Sequence, residues 1–138
     1  MNLRRRLAKS AVLRLRTSKA KGNLPMTGKY MAYVGSYSYT GKAKGITVYY
    51  VDVEAVKFIY LFEVELDNSS YLKSSQNGKI LYSIADEGVV AFRVLPNGSL
   101  ARLNSAKIKG MRGCHLSTSK ADDYIFISGF HDGKITVL

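Results

Sequence analysis

The chain has 138 residues, 46% hydrophobic, 22% charged and 11% aromatic, a composition that fits one globular domain and excludes long disorder or a collagen-like repeat. Its formal net charge is +11, yet eight of the 21 Lys and Arg lie in residues 1–25, which hold no acidic side chain; residues 26–138 carry thirteen basic against ten acidic groups, a net of only +3. That near balance gives no stripe for tracking nucleic acid, and no stretch approaches the roughly 18–20 apolar residues of a membrane-spanning helix, so neither nucleic acid nor membrane is expected as a partner.

In chain order the first element is a basic leader, residues 1–25, closing on Asn23-Leu24-Pro25, which sets a domain boundary near Met26. Leu3, Leu7, Val12, Leu13 and Leu15 would suit a short amphipathic helix of the transit-peptide or phosphate-binding kind. The alternative carried forward is a disordered extension with Met26 as the working start, whose removal should leave folding unchanged. Beyond Met26, short runs of Tyr, Val, Ile and Phe broken by Gly and Asn-Gly pairs predict an all-β body. Residues 31–35 and 45–66 fit the second, third and outer strands of one four-stranded unit. The next unit reads through completely: an innermost strand at 71–75, the Gln76-Asn77-Gly78 turn, a strand at 80–84, the loop Ala85-Asp86-Glu87-Gly88 and a strand at 89–95. The Pro96-Asn97-Gly98 turn then leads to an outer strand at 99–104, anchored by Leu100 and Leu103. A connection over 105–113 returns the chain to His115, which starts a third innermost strand, and the third unit stops at Leu138.

The units repeat. Tyr71-Leu72-Lys73-Ser74-Ser75 recurs 44 positions later as His115-Leu116-Ser117-Thr118-Ser119, and Lys79-Ile80-Leu81-Tyr82 as Asp123-Tyr124-Ile125-Phe126. A second element recurs as Gly45-Ile46-Thr47-Val48-Tyr49, Gly88-Val89-Val90-Ala91-Phe92 and Gly133-Lys134-Ile135-Thr136-Val137, its glycines 43 and then 45 apart. Four strands of about six residues plus their connections fill such a period, so the fold expected is a partial β-propeller of about two and a half four-stranded antiparallel blades. Closed propellers use about four to eight blades, so this length cannot close a ring. A truncated or excerpted copy is expected, with apolar blade faces left exposed through which copies could self-associate.

Ala32-Tyr33-Val34-Gly35-Ser36-Tyr37, Gly45-Ile46-Thr47-Val48-Tyr49, Asn68-Ser69-Ser70-Tyr71-Leu72, Asn77-Gly78-Lys79-Ile80-Leu81-Tyr82-Ser83 and Gly113-Cys114-His115-Leu116-Ser117 form an ordered set. Over residues 29–138 this set resembles the amino-terminal blades of the lactonase family of seven-bladed propellers, which takes in propeller-type 6-phosphogluconolactonases and carboxymuconate cyclases. The resemblance implies a lactone hydrolase acting on sugar-acid lactones in the pentose phosphate route, with a small-molecule lactone as substrate and no cofactor. A non-catalytic propeller module or protein-interaction fragment is the alternative. The later blades, which carry the His, Arg and Glu attributed to catalysis in the cyclase branch, have no counterpart in this sequence.

In a propeller, the connection entering each innermost strand and the loop between second and third strands open on one face, at the mouth of the central channel. This places Arg112 and His115 beside Glu87, with Tyr37 and His131 in the corresponding loops of neighbouring blades. His115 and Glu87 are the candidate catalytic residues, because a His or carboxylate can activate water; Arg112, Tyr37 and His131 are the candidate substrate-binding residues, Arg112 for a phosphate or carboxylate tail and for the oxyanion. Blander roles stay open: His115 orienting a loop, Arg112 pairing with Asp86 or Glu87, Asp86-Glu87 as a solvated loop, and His131-Asp132 as a plain turn before Gly133. Gly41-Lys42-Ala43-Lys44-Gly45 lacks the following helix of a phosphate-binding fingerprint and is expected to decorate a hairpin loop. One cysteine and two scattered histidines predict no metal site. The lone Cys114 cannot form an internal disulfide, which favours a reducing compartment, the cytoplasm; it is expected to be a small buried side chain rather than a nucleophile.

Overall fold

The computed structural model describes residues 15–16, 29–110 and 112–138, and every regular element among them is a strand. The strands are β1 (Leu15–Arg16), β2 (Lys29–Gly35), β3 (Gly45–Asp52), β4 (Lys57–Glu65), β5 (Tyr71–Ser74), β6 (Ile80–Ala85), β7 (Gly88–Val94), β8 (Leu100–Lys107), β9 (His115–Thr118), β10 (Ile125–Ser128) and β11 (Ile135–Val137). They form three antiparallel sheets in simple meander order, β1-β2-β3-β4, β5-β6-β7-β8 and β9-β10-β11. These are three successive blades of a partial propeller, the second complete and the third with three strands. No described helix is long and apolar enough to cross a membrane.

The second blade follows its sequence reading with shifts of one to three residues. Its outer strand runs on to Lys107, beyond the expected end at 104, and the return connection shortens accordingly. Leu100 packs against the core, whereas Leu103, expected as a second anchor, is 44% exposed; it lies on the circumference, where no further sheet covers it. Within the leader only Leu15 and Arg16 are described. They pair with Met31 and Tyr30 and so occupy the innermost place of the first blade, a strand the sequence reading lacks. The boundary at Met26 and the rest of the leader lie outside the described residues.

The alternation of strand side chains divides the core into two slabs, one at each blade junction. Between blades one and two, Met31, Tyr33, Ile46 and Val48 meet Leu72, Leu81, Val90 and Phe92. Between blades two and three, Ile84 and Val89, on the opposite face of the second sheet, meet Leu116 and Ile127. A fully buried side chain of this size contributes about 1.5–3 kcal/mol, so the middle blade, apolar on both faces, is the cohesive element. Polar contacts add to the apolar ones: within the second blade the buried Ser69 and Ser83 hydroxyls sit 2.8 Å apart, and across the first junction the Tyr33 hydroxyl donates to the Gly98 carbonyl at 2.8 Å.

The repeat acquires a physical cause. Ser75 and Ser119, 44 residues apart, close equivalent turns: their backbone N–H groups donate to the carbonyls of Ile80 and Tyr124 at 2.9 Å. Their hydroxyls accept from the Ile80 and Tyr124 N–H groups at 3.0 and 3.1 Å. The repeated glycine opening each third strand has positive φ, +129° at Gly45 and +150° at Gly88, and a Cβ there would drive into the backbone of the adjoining segment, at Leu66 and Ala106 respectively.

Candidate functional site

The meander sends the β2–β3 loop (36–44), the β4–β5 connection (66–70), the β6–β7 loop (86–87), the β8–β9 connection (108–114) and the β10–β11 loop (129–134) to the same end of the blades. Arg112 is the hub where four of these segments meet. Its Nη2 pairs with Asp86 and reaches the Asn68 carbonyl at 3.4 Å, and its guanidinium lies over the Tyr37 ring, 5.3 Å from the centroid. Asn68 completes the cluster. Its amide nitrogen donates to both Asp86 oxygens, at 3.1 and 2.8 Å, while its Oδ1 accepts from the Ser38 and Tyr39 N–H groups at 2.9 and 3.1 Å. Tyr37 and Tyr39 meet edge to face at 5.7 Å.

The Arg112–Asp86 pair is partly exposed, with side chains 27% and 48% accessible, so in isolation it would contribute no more than about 1 kcal/mol. Its effect here is geometric. One cation, one carboxylate and one amide each satisfy several partners, which fixes loops of three blades against one another and holds a guanidinium among them.

His115, the first residue of β9, is exposed and stacks on Tyr71 of β5 with ring centroids 4.8 Å apart. Both start innermost strands and both occupy the same position of the repeat, so the two rings line the axial edge of adjacent blades. Glu87 points elsewhere: its carboxylate meets Lys107 at 3.5 Å, with both side chains more than four-fifths exposed. It lines a cleft of about 640 Å³ between the first two blades, whose walls also include Lys44, Asp67, Arg102 and Lys107. His131 is exposed and stacks edge to face on Phe130 at 5.4 Å. The structure therefore gathers Arg112 and Tyr37 around Asp86, sets His115 against Tyr71, and ties Glu87 and His131 to other partners. Cys114 is exposed, not buried as expected; it sits on the return connection at the rim of the third blade, its Sγ 3.9 Å from the Arg112 carbonyl. Lys42 and Lys44 stand on a hairpin loop as read from the sequence.

Asn68 was not singled out by sequence reasoning, although a signal for it exists. It lies 44 residues before Arg112, three residues ahead of an innermost strand, and so fills the position of blade two that Arg112 fills in blade three. Its positive φ of 51° suits Asn, the residue that best tolerates that backbone after Gly.

Residues 31–138 match the family described as lactonase, 7-bladed beta-propeller. The chain belongs to the lactonase family of seven-bladed β-propellers. Among curated relatives of this lactonase-family chain, the 6-phosphogluconolactonase of Bacillus subtilis (strain 168) is 32% identical over 115 residues, covering 79% of this chain and 33% of that protein. The 6-phosphogluconolactonase of Formosa agariphila is 29% identical over 112 residues, covering 75% and 32%. Among solved structures, a Bacteroides fragilis protein assigned as a 6-phosphogluconolactonase superposes with a TM-score of 0.74 at 30% identity, over 84% of this chain and 33% of that one. A Bacteroides uniformis structure, at 21% identity and TM-score 0.72 over 80% and 33%, shares the fold. The lactonase-family chain thus spans about a third of the length of the relatives it matches.

Proposed function

We propose that these blades form the first third of a lactone hydrolase of the 6-phosphogluconolactonase type, opening the ring of a sugar-acid lactone. The observation that carries the reading is Arg112, fixed by Asp86 and Asn68 over Tyr37 on the face where His115 also opens. The names of the curated relatives support the substrate class. Arg112 and Tyr37 would take the anionic tail, with His131 at the rim, and His115 would draw a proton from water as it attacks the lactone carbonyl. The tetrahedral oxyanion then collapses, the ring C–O bond breaks, and the departing ring oxygen takes the proton back. We place this chemistry in carbohydrate metabolism and in the cytoplasm, a setting in keeping with the exposed free thiol of Cys114.

The test is a chimera in which residues 31–138 replace the matching third of the Bacillus subtilis relative, assayed on 6-phosphoglucono-δ-lactone beside this chain alone. A folded chimera that hydrolyses the lactone well above the spontaneous rate supports the reading. In that chimera Arg112→Ala should raise KM, and His115→Ala should lower kcat by about 10²-fold or more. A folded chimera without activity, or one indifferent to both substitutions, overturns it.

A further inference from the structure

The outer strands of the first two blades are equivalent in the repeat but opposite in chemistry. In β8 the exposed run is broken by Arg102, Asn104 and Ser105 and ends in Lys107, the charged and polar residues that keep a sheet edge from pairing with another chain. In β4 the run Phe58-Ile59-Tyr60-Leu61-Phe62 is uninterrupted, and its first four side chains are 56%, 46%, 58% and 41% exposed. The outer backbone edge of β4 ends its sheet and has no partner among the described residues. Propeller blades usually leave short, protected edges on the circumference. This one is nine residues long and carries no charge between Lys57 and Glu63.

The charges that do flank it define a partner. β4 begins with Lys57 and ends with Glu63 and Glu65, so an antiparallel copy of the same strand sets each Lys57 against the acidic end of the other, whereas a parallel copy would set like on like. Among the described residues Glu65, with its side chain 82% exposed, has a solvent-exposed ion pair with Lys44 at 3.4 Å, and Glu63 accepts a long 3.5 Å hydrogen bond from the Thr47 hydroxyl. We propose that β4 pairs antiparallel with β4 of a second copy of this chain, joining two four-stranded sheets into one across a two-fold axis. The surface is distinct from the apolar blade faces: the new hydrogen bonds run along the circumference, in the plane of the sheet.

Sedimentation equilibrium of the full chain reads this directly. Wild type should approach twice 15.3 kDa as concentration rises. Lys57→Glu alone, and Glu63→Lys with Glu65→Lys, should each sediment as monomers with unchanged far-UV circular dichroism, and an equimolar mixture of the two should restore the dimer. Leu61→Lys, which brings like charges together near the two-fold axis, is a second disruptor should Lys57→Glu not fold. Phe126→Asp, on the open face of the third blade, should leave the dimer intact. A wild type that stays monomeric, association that survives both Lys57→Glu and Leu61→Lys, or a mixture that does not reassociate overturns the proposal.

Discussion

Tyr33 heads the fully buried side chains by size, and it carries a hydroxyl into the slab between blades one and two. That hydroxyl is satisfied by the Gly98 carbonyl, and burial pushes its pKa from 10.0 up to about 12. Because the folded-state value lies above the unfolded one, the protonated phenol stabilises the fold fully below pH 10, and this contribution is lost as pH rises from 10 towards 12. The amount at stake is about 2–3 kcal/mol. Tyr82 moves in the same direction, through burial first and the nearby Asp122 carboxylate second. Alkaline unfolding followed by circular dichroism should therefore be steep above pH 10, and Tyr33→Phe should be less stable by about 1–2 kcal/mol at neutral pH yet flatter above pH 10. Equal pH dependence in both proteins would refute this. The sequence marks Tyr33 as a strand residue, but nothing in local pattern shows that its hydroxyl bonds a carbonyl 65 positions away. The same limit applies at the mouth. Arg112 was legible as a residue of the connection entering an innermost strand, whereas its pairing with Asp86 rather than the adjacent Glu87 is a matter of tertiary geometry.

Strands and turns were far more legible, because their signals are local. The glycine opening β7 is the clearest case: Gly88 combines a φ of +150° with a Cβ direction blocked by the Ala106 carbonyl of the adjoining strand. Gly133, at the same point of the third blade, has a φ of +61° and open space around the Cβ position, since no fourth strand among the described residues lies against it. Gly88→Ala should thus cost more than about 2 kcal/mol, from a strained backbone and a backbone clash together, while Gly133→Ala should cost only the left-handed penalty of about 1 kcal/mol. Urea unfolding midpoints of the two variants read the difference, and equal losses would mean that conformation alone, without the close approach, explains the repeat. The regular 44-residue spacing also lets one blade interpret another: Asp122, at φ 60°, replaces Gly78, at φ 70°, in the equivalent turn, and its carboxylate accepts from the Gln76 N–H across the blade junction at 2.6 Å. What the local pattern could not give was β1, whose two residues are defined only by pairing with Met31 and Tyr30.

At the scale of the molecule, a repeat stack is stabilised by each unit and by its junctions with neighbours, so position in the stack governs local stability. The second blade has four strands and two apolar junctions; the third has three short strands and one junction, with Phe126, Ile135 and Val137 exposed on its other face. Native-state hydrogen exchange should therefore be slowest in β6 and β7 and fastest among the sheets in β9–β11, through an opening that leaves the first two blades closed. Ile127, 2% exposed and packed in the cluster with Ile84 and Val89, is the lever on that opening. Ile127→Ala removes about 2–4 kcal/mol from the second junction alone. Exchange in β9–β11 should accelerate accordingly while the amides of β2 and β3 keep their rates. If β2 and β3 accelerated to the same degree, the sheets would be opening as one cooperative unit and the two junctions could not be independent.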